Sequence, residues 1–116
     1  MILIVGGTAS GKATYARKLA ARQGWSEDDV AFNVEELLWE QGDRTLPATD
    51  ALLEQLCAKR IVTCAEVGGG IVPLDCEERA WRENVGRMAC ELAGRATKVV
   101  RMVCGIPVVI KGRLDD

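Results

Sequence analysis

The chain has 116 residues, 48% of them hydrophobic, and a net charge of −2 from 15 basic and 17 acidic side chains spread along its length. That composition suits one folded domain, residues 1–116, and excludes a disordered chain or the strongly basic footprint of a nucleic-acid binder. There is no histidine, so histidine triads, histidine general bases and phosphohistidine chemistry are closed to it.

The first element predicted is a strand over Ile2–Val5, a continuous apolar run of the kind buried on both faces of a parallel sheet. It is too short and too soon broken by glycine for a signal peptide or a membrane span. No later segment reaches span length, so the expectation is a soluble, cytoplasmic protein. Gly6-Gly7-Thr8-Ala9-Ser10-Gly11-Lys12 follows and opens a helix over Lys12–Arg22, with Ala16, Leu19 and Ala20 on one face and Gln23-Gly24 as its stop.

Strand, glycine turn, lysine and helix in that order are the setting in which Gly-x-x-x-x-Gly-Lys cradles phosphate. Gly6 and Gly7 let the backbone turn. The N–H groups of Thr8–Lys12 converge at a helix N-terminus, and Lys12 adds a mobile positive charge. The expected nucleotide contacts are Gly6, Gly7, Thr8, Ala9, Ser10, Gly11, Lys12, Ala13 and Thr14, with Lys12 also catalytic. The strict motif ends in Ser or Thr, whose hydroxyl helps hold Mg²⁺; here Ala13 occupies that place. Thr14 is no obvious substitute, since one helical step rotates a side chain by roughly 100°. Mg²⁺ is therefore expected to arrive on ATP or GTP, with protein ligands unassigned.

Asp29–Phe32 is a weaker strand. Glu35–Gln41 reads as a helix ended by Gly42, Pro47 marks a turn, and Thr49 or Asp50 can cap a helix through Leu52, Leu53, Leu56 and Cys57. Arg60–Cys64 is the next strand. Glu66 follows it directly, ahead of Gly68, Gly69 and Gly70, a run that packing alone does not call for. Ligands of parallel sheets sit at strand carboxyl ends, so Glu66 is the acid best placed to orient an acceptor hydroxyl. Asn33, Glu35 and Glu36 are alternatives, the two glutamates reading more readily as a solvated helix start.

Asp75 with Glu78 opens the longest helix in the manner of a capping box, and Trp81, Val85, Met88, Ala89 and Leu92 form its core stripe. Arg82 and Arg87 read as a solvated face, or less readily as phosphate ligands. Trp25 and Trp39 read as core or rim in preference to base-stacking groups. Lys98–Cys104 and Pro107–Lys111 are β-rich and form either a hairpin or two sheet strands; Gly112–Asp116 should fray. The five cysteines (Cys57, Cys64, Cys76, Cys90, Cys104) have no Cys-x-x-Cys spacing, and most of them read as small hydrophobes, without disulfide or metal.

Three segments in order resemble one family: Ile4–Lys12, Glu66–Pro73, and Trp81–Arg87 leading to Cys104–Lys111. The chain is similar here to the bifunctional adenosylcobinamide kinase / adenosylcobinamide-phosphate guanylyltransferase family of cobalamin biosynthesis. The resemblance implies a RecA-like P-loop NTPase fold, with a mostly parallel sheet flanked by helices and a closing β-rich pair. It also implies a triphosphate on Gly6–Lys12, Glu66 at a strand end near it, a corrinoid precursor as phosphoryl acceptor, and a homo-oligomer. Departures from the family pattern are Ala13 in place of Ser, a shorter segment before Arg60, Asn33 where an acid is expected, and no histidine to carry GMP. The function expected is a kinase phosphorylating adenosylcobinamide, without guanylyl transfer. The alternative is a non-catalytic ATP/GTP- or corrinoid-binding protein.

Overall fold

A computed structural model of the chain describes residues 1–7, 9–43, 45–66 and 75–113. Thr8 and the run from Val67 through Gly68, Gly69, Gly70 and Pro73 lie outside the described residues. So do Arg44 and the last three residues.

The apolar run at the N-terminus becomes β1 (Ile2–Gly6), and it lies at the centre of the sheet. Its neighbours are β3 (Ile61–Ala65) on one side and β4 (Lys98–Val103) on the other, both parallel to it. β2 (Val30–Ala31) extends the sheet beyond β3 in the same direction, and β5 (Ile106–Lys111) returns antiparallel along the outer edge of β4. The order is β2-β3-β1-β4-β5. This is a mixed α/β architecture with a mostly parallel sheet.

Because side chains alternate along a strand, β1 feeds two apolar clusters. Leu3, with Val62, Cys64 and Val99, packs under α2 (Val34–Gln41), α3 (Leu46–Cys57) and α4 (Cys76–Arg95). Ile2 and Ile4, with Ile61, Val100 and Met102, pack under α1 (Lys12–Gln23) through Ala16, Leu19 and Ala20. Helices on both faces explain why β1 carries no polar residue.

The closing segment is a hairpin. Cys104 (φ 51°) and Gly105 (φ 78°) form its two-residue turn, both left-handed as a twist-matched hairpin requires. Lys111 fixes the end of β5 by donating to the Ala93 and Gly94 carbonyls at the last turn of α4, where a cation suits the helix dipole.

Two expectations need correction. Pro47 does not mark a turn before a helix capped at Thr49 or Asp50. It sits in the first turn of α3, which starts at Leu46 behind Thr45, a place where a missing N–H costs nothing. Thr49 is inside that helix, buried, its hydroxyl returning to the Thr45 and Leu46 carbonyls. Nor do most of the cysteines pack as small hydrophobes: all five are free, but only Cys64 is buried, Cys57 is half-buried, and Cys76, Cys90 and Cys104 are exposed. Asp75 caps α4 as expected, accepting from the Glu77 N–H at 2.8 Å.

β2 has only two residues, so it pairs with Ile61 and Val62 and leaves the upper half of β3 without a ladder on that side. The fully buried Thr63 hydroxyl fills part of the gap, accepting the Asn33 N–H at 2.8 Å. Replacing it by the isosteric Thr63→Val leaves a part-buried donor unpaired. This should cost about 1–3 kcal/mol in urea denaturation, whereas Thr63→Ser, which keeps the oxygen, should lose only about 1 kcal/mol for its methyl group.

Candidate functional site

The carboxyl ends of β1 and β3 converge on the glycine turn. Gly6 is the last residue of β1, opposite Ala65 of β3 and Met102 of β4. A side chain cannot fit there: a Cβ on Gly6 would stand 2.5 Å from the Ser10 hydroxyl and 2.9 Å from the Met102 carbonyl oxygen. The loop then passes through Ala9 (φ 58°) and Gly11 (φ 91°), both left-handed, before α1 begins. The turn of the closing hairpin braces it, with the Gly105 N–H donating to the Ser10 carbonyl at 3.0 Å.

Lys12 is the first residue of α1, only 9% exposed, and its ammonium folds back to donate to the Gly7 carbonyl at 2.7 Å. That bond uses one of three ammonium donors and holds the charge over the loop. The Ser10 hydroxyl is buried against Gly6 and has no partner among the described residues. Ala9–Thr14 and Asn33 line a cleft of 380 Å³. Of the expected nucleotide contacts, Ala9, Ser10, Gly11, Lys12, Ala13 and Thr14 wall this cleft, and Gly6 and Gly7 form the turn behind it. Thr8 is outside the described residues.

Glu66 is placed differently. Its N–H donates to the Gly6 carbonyl at 3.0 Å, so its backbone is at the loop. Its carboxylate, however, takes both arms of Arg101, at 2.8 and 3.2 Å. Alternation accounts for this. Cys64, Val5 and Arg101 stand at paired positions across three strands and share a face, and Glu66, two residues beyond Cys64, continues on it. The carboxylate raises the affinity of the Arg101 guanidinium for its proton.

A second acid, Glu35 in the first turn of α2, is tied to the end of β3 through its carboxylate. Its Oε1 accepts the Ala65 N–H at 2.9 Å, the amide that short β2 leaves without a strand partner. The Trp81 indole N–H donates to the Glu35 carbonyl at 2.7 Å, which ties α4 to the same point. Asn33, two residues earlier and left-handed (φ 58°), is in the cleft wall. Reading Glu35 as a solvated helix start missed this because the signal is an unpaired amide on another strand. Burial first, and then the Glu35 carboxylate, push the Cys64 thiol beneath them up to about 12, with the Lys12 charge acting the other way. Cys64 is therefore an inert neutral thiol at physiological pH.

The other candidates lie elsewhere. Arg82 pairs with Glu78 at 3.4 Å. Arg87 lines a second cavity, of 360 Å³, between α3 and α4. Trp25 lies under the Arg60 guanidinium at 5.5 Å, and Trp39 meets Trp81 edge-on at 5.4 Å. Neither indole is in the cleft wall. No group of three or more Cys, Asp or Glu side chains gathers to hold a metal among the described residues, and none of their helices is long and apolar enough to cross a membrane.

A family model described as cobinamide kinase / cobinamide phosphate guanyltransferase matches residues 27–110. The match takes in β2 through β5, including Asn33, Glu35, Glu66 and Arg101, and begins after the glycine turn and α1. A search of curated proteins finds no relative that matches the chain.

The crowding at Gly6 is directly testable. Gly6→Ala should destabilise the protein by about 1–3 kcal/mol, as overpacked sites do. Gly7→Ala, where an added Cβ meets nothing within 4 Å, should change stability by less than about 0.5 kcal/mol. Thermal denaturation of the two variants, side by side with the parent, reads the difference.

Proposed function

Because the chain belongs to the cobinamide kinase / cobinamide phosphate guanyltransferase family, we propose that it binds ATP or GTP at Gly6–Thr14 and phosphorylates adenosylcobinamide in cobalamin biosynthesis. The observation that carries the reading is the turn between β1 and α1. A buried Lys12 ammonium is held over a left-handed glycine loop at a helix N-terminus, with an unpartnered Ser10 hydroxyl buried in the same loop. These features support a P-loop reading, in which backbone N–H groups and one lysine meet a triphosphate.

In this reading the loop amides and Lys12 bind the β- and γ-phosphates and stabilise the charge of the transferring phosphoryl group. The acceptor hydroxyl oxygen bonds to the γ-phosphorus as the bridging P–O bond breaks, the hydroxyl proton passes to solvent, and the nucleoside diphosphate leaves. Glu66, at the end of β3, orients the hydroxyl. Mg²⁺ supplies additional positive charge when it accompanies the nucleotide. Guanylyl transfer through histidine has no residue to carry it, since the chain contains none. Ile106, Val108 and Ile110, all exposed on β5 at the open sheet edge beside Val103, support self-association of copies along that edge.

A second reading is a nucleotide- or corrinoid-binding protein without turnover, and Ala13 is the observation that favours it. The two readings part in one assay with adenosylcobinamide, ATP or GTP, and Mg²⁺, followed by mass spectrometry. The kinase predicts a phosphorylated corrinoid that Lys12→Ala abolishes. Product formation undiminished in Lys12→Ala contradicts the proposed role of the loop, and nucleotide binding with no product at any Mg²⁺ concentration selects the second reading.

A further inference from the structure

Phosphoryl transfer at a glycine loop needs a carboxylate for the cation that accompanies the phosphates, and of two side chains that the sequence offers for that region one is already paired with a guanidinium and the other is neutral. Glu66 has both oxygens on Arg101, and Asn33, in the cleft wall, is an amide. Ala13, at the position after the lysine, brings no hydroxyl. Resting on the kinase reading above, we infer that Glu35 is the acid that holds the divalent cation of the bound nucleotide through water, apart from the role of Glu66 toward the acceptor.

The placement follows from register. The Ala65 amide that fixes the Glu35 carboxylate belongs to the residue paired with Gly6, where the glycine turn begins. Adjacent strands are about 4.8 Å apart, and the Ala65 N–H points to the β2 side of β3, so the carboxylate takes the place a longer β2 would fill, beyond β3 from the start of the turn. Lys12 Nζ is bonded to the carbonyl of the very next residue, Gly7. One thiol, Cys64, feels both the Glu35 carboxylate and the Lys12 ammonium, as it would if both faced the end of β1.

Only one carboxylate oxygen is used in this anchoring. Oε1 accepts from Ala65, and Oε2 makes no hydrogen bond among the described residues. The anchored oxygen fixes the carboxylate's orientation, and the other is left to accept from a water on the metal. A single carboxylate with water in between suits Mg²⁺, which gives up its hydration shell reluctantly and is commonly held by one or two carboxylates plus phosphate oxygens. The donor set present fits a cation that comes with the nucleotide and does not fit a preformed cage.

The assignment separates Glu35 from Glu36, its exposed neighbour on α2, by metal-linked affinity and not by turnover. Isothermal titration of the whole chain with ATP and with GTP, each in Mg²⁺ and in EDTA, is the experiment. The parent should bind the Mg²⁺ nucleotide more tightly than the free one. Glu35→Gln keeps an oxygen for the Ala65 N–H and removes the charge. It should lose Mg²⁺-nucleotide affinity by about tenfold or more, the scale of one charge-assisted hydrogen bond, with affinity in EDTA unchanged or improved. Glu36→Gln should retain the Mg²⁺ gain.

An equal Mg²⁺ gain in Glu35→Gln overturns the assignment and leaves the nucleotide site standing. Absence of any Mg²⁺ gain in the parent overturns it as well. A parent that binds neither nucleotide in either condition removes the kinase reading and this inference together.

Discussion

The close approach at Gly6 governs the whole arrangement. β1 ends between two parallel neighbours, and its last residue must lie bare between the Met102 carbonyl and the Ser10 hydroxyl. With no Cβ in the way, the turn folds tightly back over the end of the strand, α1 starts with its N-terminus at the sheet's carboxyl edge, and Lys12 reaches the Gly7 carbonyl. The closing hairpin contributes to the same point, because Gly105 donates to Ser10 and its Cα lies 3.4 Å from where a Gly11 Cβ would be. Sheet centre, loop and hairpin turn are thereby one packed unit, and the cleft is formed on its surface.

The acids are sorted by backbone geometry. β2 is two residues long, so the amides of Asn33 and Ala65 find no strand partners, and Thr63 and Glu35 side chains supply them. An unpaired amide in this half-buried region costs as much as a lost hydrogen bond. Strand alternation meanwhile turns Glu66 toward Arg101 on β4. A bidentate pair this exposed contributes little to stability, yet it fixes the direction of the Glu66 carboxylate.

Much of this was legible in the chain of residues. The apolar Ile2–Val5 run, the glycine turn and the helix starting at Lys12 are local signals, each reinforcing the next. So are the Asp75 cap and the stripe from Trp81 to Leu92. The errors came where tertiary context decides. Pro47 is compatible with a turn or a helix start, and only packing of Leu53 and Leu56 on α4 selects the second. Exposed Cys76 and Cys90 sit on helix faces that apolar composition alone does not distinguish from buried ones. Glu35 was illegible because its partner is an amide thirty residues away, orphaned by the brevity of a neighbouring strand.

Among the described residues, two clefts have similar volumes. One is walled by the loop, and the other, between α3 and α4, is lined by Asn84, Arg87 and both ends of the Arg95–Glu54 ion pair. The central claim is that a nucleotide triphosphate occupies the first. Amide chemical shifts of the ¹⁵N-labelled protein, followed during titration with ATP or GTP, test it most directly. Saturable shifts centred on Gly7, Ala9, Ser10, Gly11 and Lys12, with Asn33 and Ala65 beside them, are the predicted result. Shifts confined to Asn84, Arg87 and Glu91, or none at saturating nucleotide, would contradict it.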